Sequence, residues 1–171
     1  MPPPSQPVST PRTLYTPDQR ARRDSTRWTL VQGVLAPVQF AIFLVSLVLV
    51  VRFLTTGVGA EIATWSVVIK TLALYTIMIT GSLWEKAVFD KYLFARPFFY
   101  EDVFSMLVLV LHTAYLAAVG LGWLGVTGQM WLALAAYAAY VVNAAQFLWK
   151  FRLARNEPAV RGPRVMAGDM L

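Results

Sequence analysis

Between residues 84 and 102 the chain gathers seven charged side chains, Glu85, Lys86, Asp90, Lys91, Arg96, Glu101 and Asp102. Interleaved with them are seven aromatic ones, Trp84, Phe89, Tyr92, Phe94, Phe98, Phe99 and Tyr100. Neighbouring carboxyl groups do general acid and base work when one carries a proton and the other does not, and a carboxyl withdrawn from water favours its protonated form. Aromatic neighbours suit a flat apolar ligand beside such a centre. The same mixture also describes an ordinary membrane-interface connection, with aromatics at the headgroup level and charges in the water beyond. Glu101, Ser105 and His112 recur at i, i+4 and i+11, which places them within about 20° on one helix face, while Asp102 is turned about 100° away. Glu101 and Asp102 also fit a purely electrostatic role, because negative charge is favoured in the first turn of a helix.

Composition limits the chemistry. The 171 residues are 57% hydrophobic and 14% charged, with a mean hydropathy of +0.55, too apolar for a soluble domain of this size. No cysteine is present, so disulfides, thiolate nucleophiles, iron-sulfur clusters and cysteine-ligated zinc are excluded. The single histidine, His112, excludes haem held by two histidines of one chain and any three-histidine metal site. No metal site of the protein's own and no redox cofactor is expected.

The elements that must position these residues are helices. Four apolar stretches, about 29–54, 62–84, 102–121 and 129–149, reach the roughly 20 residues that cross a hydrocarbon core. Their length without strand-like alternation favours helices over a barrel. The expected fold is all-α: an integral membrane bundle of four transmembrane helices over residues 14–155. A proline-rich, disordered tail (1–13) precedes it and a mobile, basic and glycine/proline-bearing tail (156–171) follows. No signal peptide is legible at the start. Thr16, Pro17 and Gln19 read as a helix start with a capping box. The arginines that follow, Arg20, Arg22, Arg23 and Arg27, suit a solvated or headgroup face, with no motif for nucleic acid.

Thirteen of the fifteen lysines and arginines lie before the first span, between the second and third, or after the fourth; Arg52 alone falls at the opposite face, and Lys70 lies within a span. The positive-inside rule then puts both termini and the 85–101 connection in the cytoplasm, and the 120–128 connection on the other side. Pro37 should bend the first span. Gln32, Gln39 and Ser46 share a face as helix-to-helix glue or as the lining of a polar cleft. Lys70, Leu74, Gly81 and Glu85 form a second stripe, in which Lys70 costs about 2.5–3.5 kcal/mol near the bilayer centre unless it snorkels outward or finds a partner. His112, deep in the third span, marks either function or a hydrogen bond to a neighbouring helix. The many alanines of the fourth span favour close packing, with a slot for a planar ligand as the alternative. Gly120-Leu121-Gly122-Trp123-Leu124-Gly125 matches the dinucleotide fingerprint in form only, since no βαβ unit surrounds it and no acid follows before Glu157.

The segments YTPDQRARRD, WTLVQGVLAPVQF, IMITGSLWEKAVF, YLFARPFFYEDVFSM, LHTAYL and NAAQF resemble the 3-vinyl (bacterio)chlorophyllide hydratase family over roughly residues 15–155. The resemblance implies a lyase of the photosynthetic membrane, without cofactor, that adds water across the C3-vinyl group of chlorophyllide a or a related tetrapyrrole. Its surroundings would be membrane lipid in the inner membrane, with no nucleic acid and with other enzymes of bacteriochlorophyll biosynthesis as associates. Set against that chemistry, Glu85 and Glu101 are the expected acid and base, brought to one depth by the antiparallel second and third spans. His112 is a positioning group, a proton relay or an axial ligand to the substrate magnesium, and Asp102 is the alternative acid. Trp84, Phe98, Phe99 and Tyr100 are expected on the macrocycle, Lys86, Lys91 or Arg96 on its propionate, and Ser105, Asn143 and Gln146 also at the binding site. A non-catalytic pigment carrier would use the same aromatics without needing defined protonation states. A small transporter usually shows an internal repeat, and none is evident.

Overall fold

The computed structural model describes residues 14–155, and the expected disordered and mobile tails lie outside the described residues. Within that range the protein is helical throughout: α1 Pro17–Ser25, α2 Arg27–Thr56, α3 Ala60–Phe89, α4 Phe99–Gly120 and α5 Gly125–Arg155, with one 3-10 turn at Arg96–Phe98 before α4. Four of these helices are long and apolar enough to cross a membrane. The fold is the expected all-α membrane bundle.

Local chemistry sets the boundaries. Thr16 accepts from the Gln19 amide at 3.2 Å and the Gln19 side chain accepts from the Thr16 amide at 3.0 Å, which is the expected capping box. Thr26 is extended and serves as the end of α1 and the cap of α2. Gly57 and Gly59, at φ 72° and 90°, supply the left-handed turn between α2 and α3 that residues with a Cβ resist. Pro37 lies inside α2, which continues as helix on both sides of it.

Two boundaries differ from expectation. Helix α3 runs on to Phe89, so Glu85 and Lys86 are helical and not part of a loop; the connection to α4 is only residues 90–98. Helix α5 begins at Gly125, which reduces the other connection to 121–124. Apolar composition marks the hydrocarbon-crossing portion of a helix but not its ends, because a backbone ladder continues into the interface wherever propensity and caps allow.

The helices form two antiparallel hairpins, α2 with α3 and α4 with α5, joined by contacts of α5 with α2 and of α3 with α4. Inward-facing residues recur at intervals of three and four: Gln39, Phe43, Ser46 and Val50 on α2, Ala63, Val67, Lys70 and Leu74 on α3, and Ser105, Val108, His112 and Tyr115 on α4. This near-heptad spacing is the seam of left-handed bundles. On α5, Ala133 and Ala136 are fully buried, so the small residues serve close packing there, as expected. Polar clamps join the helices: Gln32 donates to Thr80 at 2.7 Å, and Ser46 bonds Ser66 at 2.7 Å and Tyr137 at 2.6 Å. Gln32 and Ser46 are therefore glue, each such bond contributing about 0.6 kcal/mol. Exposed tryptophans band one end (Trp65, Trp123, Trp131), and Trp149, Tyr92 and Tyr100 band the other, as the two interfaces of a bilayer favour.

Candidate active site

At the end of the bundle that carries the 90–98 connection, Glu85 from the last turns of α3 and Asp102 from the first turn of α4 are both buried. Their carboxyl groups face each other within hydrogen-bonding reach. Two bare anions so close repel strongly, so an arrangement of this kind suits a pair that holds one proton between them. Each also takes one backbone amide of the connection: Phe94 N–H donates to Asp102 Oδ2 at 2.8 Å, and Ala95 N–H donates to Glu85 Oε2 at 3.2 Å. Phe94 is held at φ 59°, a left-handed conformation that costs a residue with a Cβ about 1–2 kcal/mol. The two acids therefore both face each other and pin a strained segment of chain above them.

Glu101 is turned away from this pair. Its Oε2 accepts from Lys150 Nζ of α5 at 2.6 Å, with both side chains largely out of solvent. The Glu85–Glu101 pairing expected from membrane depth alone is replaced by Glu85–Asp102 and Glu101–Lys150. The cause is rotation: adjacent residues on a helix point about 100° apart, and α4 turns its Asp102 edge toward α3 and its Glu101 edge toward α5. Glu101 and Lys150 still lie close enough to act on Asp102 electrostatically.

The aromatics divide in a way composition does not show. Trp84 and Phe98 pack edge-to-face at 5.7 Å, in a buried cluster with Tyr15 and Val88. Trp84 Nε1 donates to Thr29 at 3.0 Å, and Phe98 stacks on Phe147 at 6.0 Å. Phe99 and Tyr100 are exposed on the outer face of α4. Lys86 sits at the margin in an ion pair with Asp90 at 2.7 Å, and that ammonium holds the Asp90 carboxyl below the usual carboxylate range. Lys91 and Arg96 are exposed.

One turn deeper, Asn143 donates to Ser105 at 2.9 Å, so these two expected site residues do meet. Beside them a lipid-facing groove of about 580 Å³ opens between α4 and α5, lined by Glu101, Val141, Val142, Ala145, Gln146, Trp149, Lys150 and Leu153. Lys150 is the site residue that sequence reasoning missed, having counted it only toward orientation. The available signal was its spacing: Asn143, Gln146 and Lys150 follow at i, i+3 and i+7 on one face. Tyr15, stacked on Phe89 at 5.8 Å, was likewise invisible from composition.

His112 is fully buried ten residues beyond Asp102, about 15 Å along the helix. Its Nδ1 donates to the Val108 carbonyl at 2.8 Å, and its Nε2 has no partner among the described residues. Tyr137 lies beside the ring at 5.9 Å. Lys70 is also fully buried and does not snorkel; its Nζ lies 3.9 Å from the centre of the Tyr140 ring and makes no hydrogen bond among the described residues.

The chain has relatives along most of its length. A family model described as 2-vinyl bacteriochlorophyllide hydratase matches residues 15–153. A protein of that name from Rhodobacter capsulatus is 62% identical over 153 residues, 86% of this chain and 86% of its own length. Another, from Cereibacter sphaeroides, is 59% identical over 157 residues, 89% of this chain and 94% of its own. No solved structure matches the chain. On a family match over residues 15–153 and relatives 59–62% identical over most of its length, the chain belongs to the 2-vinyl bacteriochlorophyllide hydratase family.

Proposed function

We propose that this protein is a membrane-bound hydro-lyase that adds water across the ring vinyl group of chlorophyllide a or a related bacteriochlorophyllide precursor, with Glu85 and Asp102 as its acid and base. The vinyl position is the one numbered 2 in the relatives' name and 3 in the numbering used above. The reading is supported by 59–62% identity to proteins bearing that name, and the observation that carries the mechanism is the facing Glu85–Asp102 pair.

Hydration needs a proton on the terminal vinyl carbon and a base for the incoming water. The protonated carboxyl of the pair gives its proton to that carbon, and the resulting positive charge on the carbon next to the ring is delocalised by conjugation. Water attacks there, and the partner carboxylate takes the proton that water loses, leaving a 1-hydroxyethyl group. One proton enters and one leaves, so the pair ends with its proton on the other partner, and exchange across the contact resets it. General acid–base catalysis of this kind is worth about 10²–10⁴-fold. His112, about 15 Å from the pair along α4, does not exchange protons with it directly and positions α4 against α5 instead. At that separation a macrocycle with its vinyl group at the carboxyl pair holds its magnesium well short of His112, which argues against axial ligation. A non-catalytic carrier has no use for two carboxyls in contact.

We further assign the protein to the inner, photosynthetic membrane with both termini and the carboxyl pair on the cytoplasmic side, from the distribution of basic residues. Association with enzymes acting before or after it on the same pigment suits an apolar intermediate that leaves the membrane reluctantly. The test is incubation of purified membranes with chlorophyllide a, followed by chromatography and mass analysis for the gain of one water. Glu85→Gln and Asp102→Asn are each expected to lower turnover about 10²-fold or more while pigment binding persists. Near-normal hydration by both variants would eliminate the assignment.

A further inference from the structure

Resting on that reading, we propose that the groove between α4 and α5 is the tetrapyrrole site, and that Lys150, held in place by Glu101, recognises the pigment's free carboxylate and so selects the acid over its ester.

The groove has the right construction. Its walls are apolar, from Val141, Val142, Ala145, Trp149 and Leu153, and its polar groups are few: Gln146 and the Glu101–Lys150 pair. The groove, about 580 Å³, is shallow and open along its length. It opens toward lipid, so an amphipathic macrocycle reaches it sideways from the bilayer without crossing water.

The charge arrangement names the occupant's polar end. A lysine ammonium has three donors, and the Glu101 bond at 2.6 Å uses one of them. Lys150 also lies 5.1 Å from the Phe98 ring centre, which with Glu101 restrains a side chain that is otherwise highly flexible. Its remaining donors suit a carboxylate at the interface, where a full charge must stay because the hydrocarbon core excludes it. Glu101 then has two effects: it orients the ammonium, and it competes for it. The groove begins at Glu101, next to Asp102 in the chain, while the carboxyl pair itself is turned toward α3 and does not line it. Lys86, bound to Asp90 at the margin, is not placed for this role.

The experiment compares binding of chlorophyllide a and its methyl ester to the full-length protein in detergent, by quenching of tryptophan fluorescence, with hydration of each followed separately in membranes. The wild type is expected to favour the acid by about tenfold, the typical worth of one charge-assisted hydrogen bond. Lys150→Met should abolish that preference with ester affinity unchanged, and Lys150→Arg should restore most of it. Glu101→Gln, by removing the competing anion, should strengthen acid binding several-fold without strengthening ester binding. Arg152→Gln, which removes a charge from the same end of α5 outside the groove, should leave the ratio as in the wild type. Equal affinity for acid and ester in the wild type, or a preference that survives Lys150→Met, overturns the proposal. If those results came with normal hydration, the groove assignment would fall and the hydratase reading would stand. If the preference depended on Lys150 while no hydration occurred, the reading of the reaction would fall and the pigment site would stand.

Discussion

Two residues carry local costs that can be weighed. Phe94 sits at φ 59° with its amide bonded to Asp102, and its ring, 39% exposed, packs on Phe99 at 5.9 Å, which offsets part of the backbone cost. Phe94→Gly relieves the strain but loses that ring contact, so it should change stability by no more than about 1 kcal/mol, whereas Phe94→Val, β-branched in a left-handed conformation and without the ring, should destabilise by about 1–2 kcal/mol. Thermal unfolding in detergent orders the three proteins. If the pinned segment also holds Asp102 in place, hydration falls in the valine variant and survives in the glycine variant. Lys70 gives the second case. Burying the ammonium costs about 2.5–3.5 kcal/mol, and its contact with the Tyr140 ring returns about 2 kcal/mol when desolvated. The balance is unfavourable by about 1 kcal/mol, so Lys70→Met should raise stability by that order and leave hydration intact. A loss of turnover in a well-folded Lys70→Met protein would instead make the lysine functional.

At the scale of elements, short α1 shows how a cap reaches the site. It buries no residue of its own, yet Tyr15, just before it, is 3% exposed and packs on Phe89 and Phe98. The Thr16–Gln19 box sets the direction in which the chain leaves that cluster. Thr16→Ala should cost about 1 kcal/mol, while Thr16→Ser should be nearly silent. Limited proteolysis should find the segment before α2 more readily cut in the alanine variant. The connection 90–98 is set differently: it holds its shape through the two buried carboxyls of its flanking helices, so the acids that face each other also shape the chain above them.

For the whole molecule, the arrangement is two hairpins closed on each other, with polar clamps between neighbouring helices and a groove along α5 beside Glu101. Its orientation is a prediction of charge alone. A reporter joined after Arg155, or inserted in the 90–95 segment, should be active only in its cytoplasmic form, and one inserted at 121–124 only in its exported form. Reversed activities would move the carboxyl pair to the far side of the membrane and separate it from a cytoplasmic pigment supply.

Much of this protein was decided by sequence alone. Four helices were legible because a membrane demands about 20 apolar residues with every backbone group satisfied internally. The capping box was legible because it is a contact between residues three apart, and the acids of the site were legible as a cluster. Helix rotation was not. In water a helix announces its buried face by an apolar stripe, but in lipid both the core face and the outer face are apolar, so α2 and α5 show almost no amphipathic signal. Whether Glu101 or Asp102 meets Glu85 depends on about 100° of rotation of α4 about its axis. That rotation is fixed by contacts from α5 and from the 90–98 connection: Asn143 on Ser105, Lys150 on Glu101, and the Phe94 amide on Asp102. Those partners lie 38, 49 and 8 residues away along the chain, and only packing in three dimensions brings them to one place.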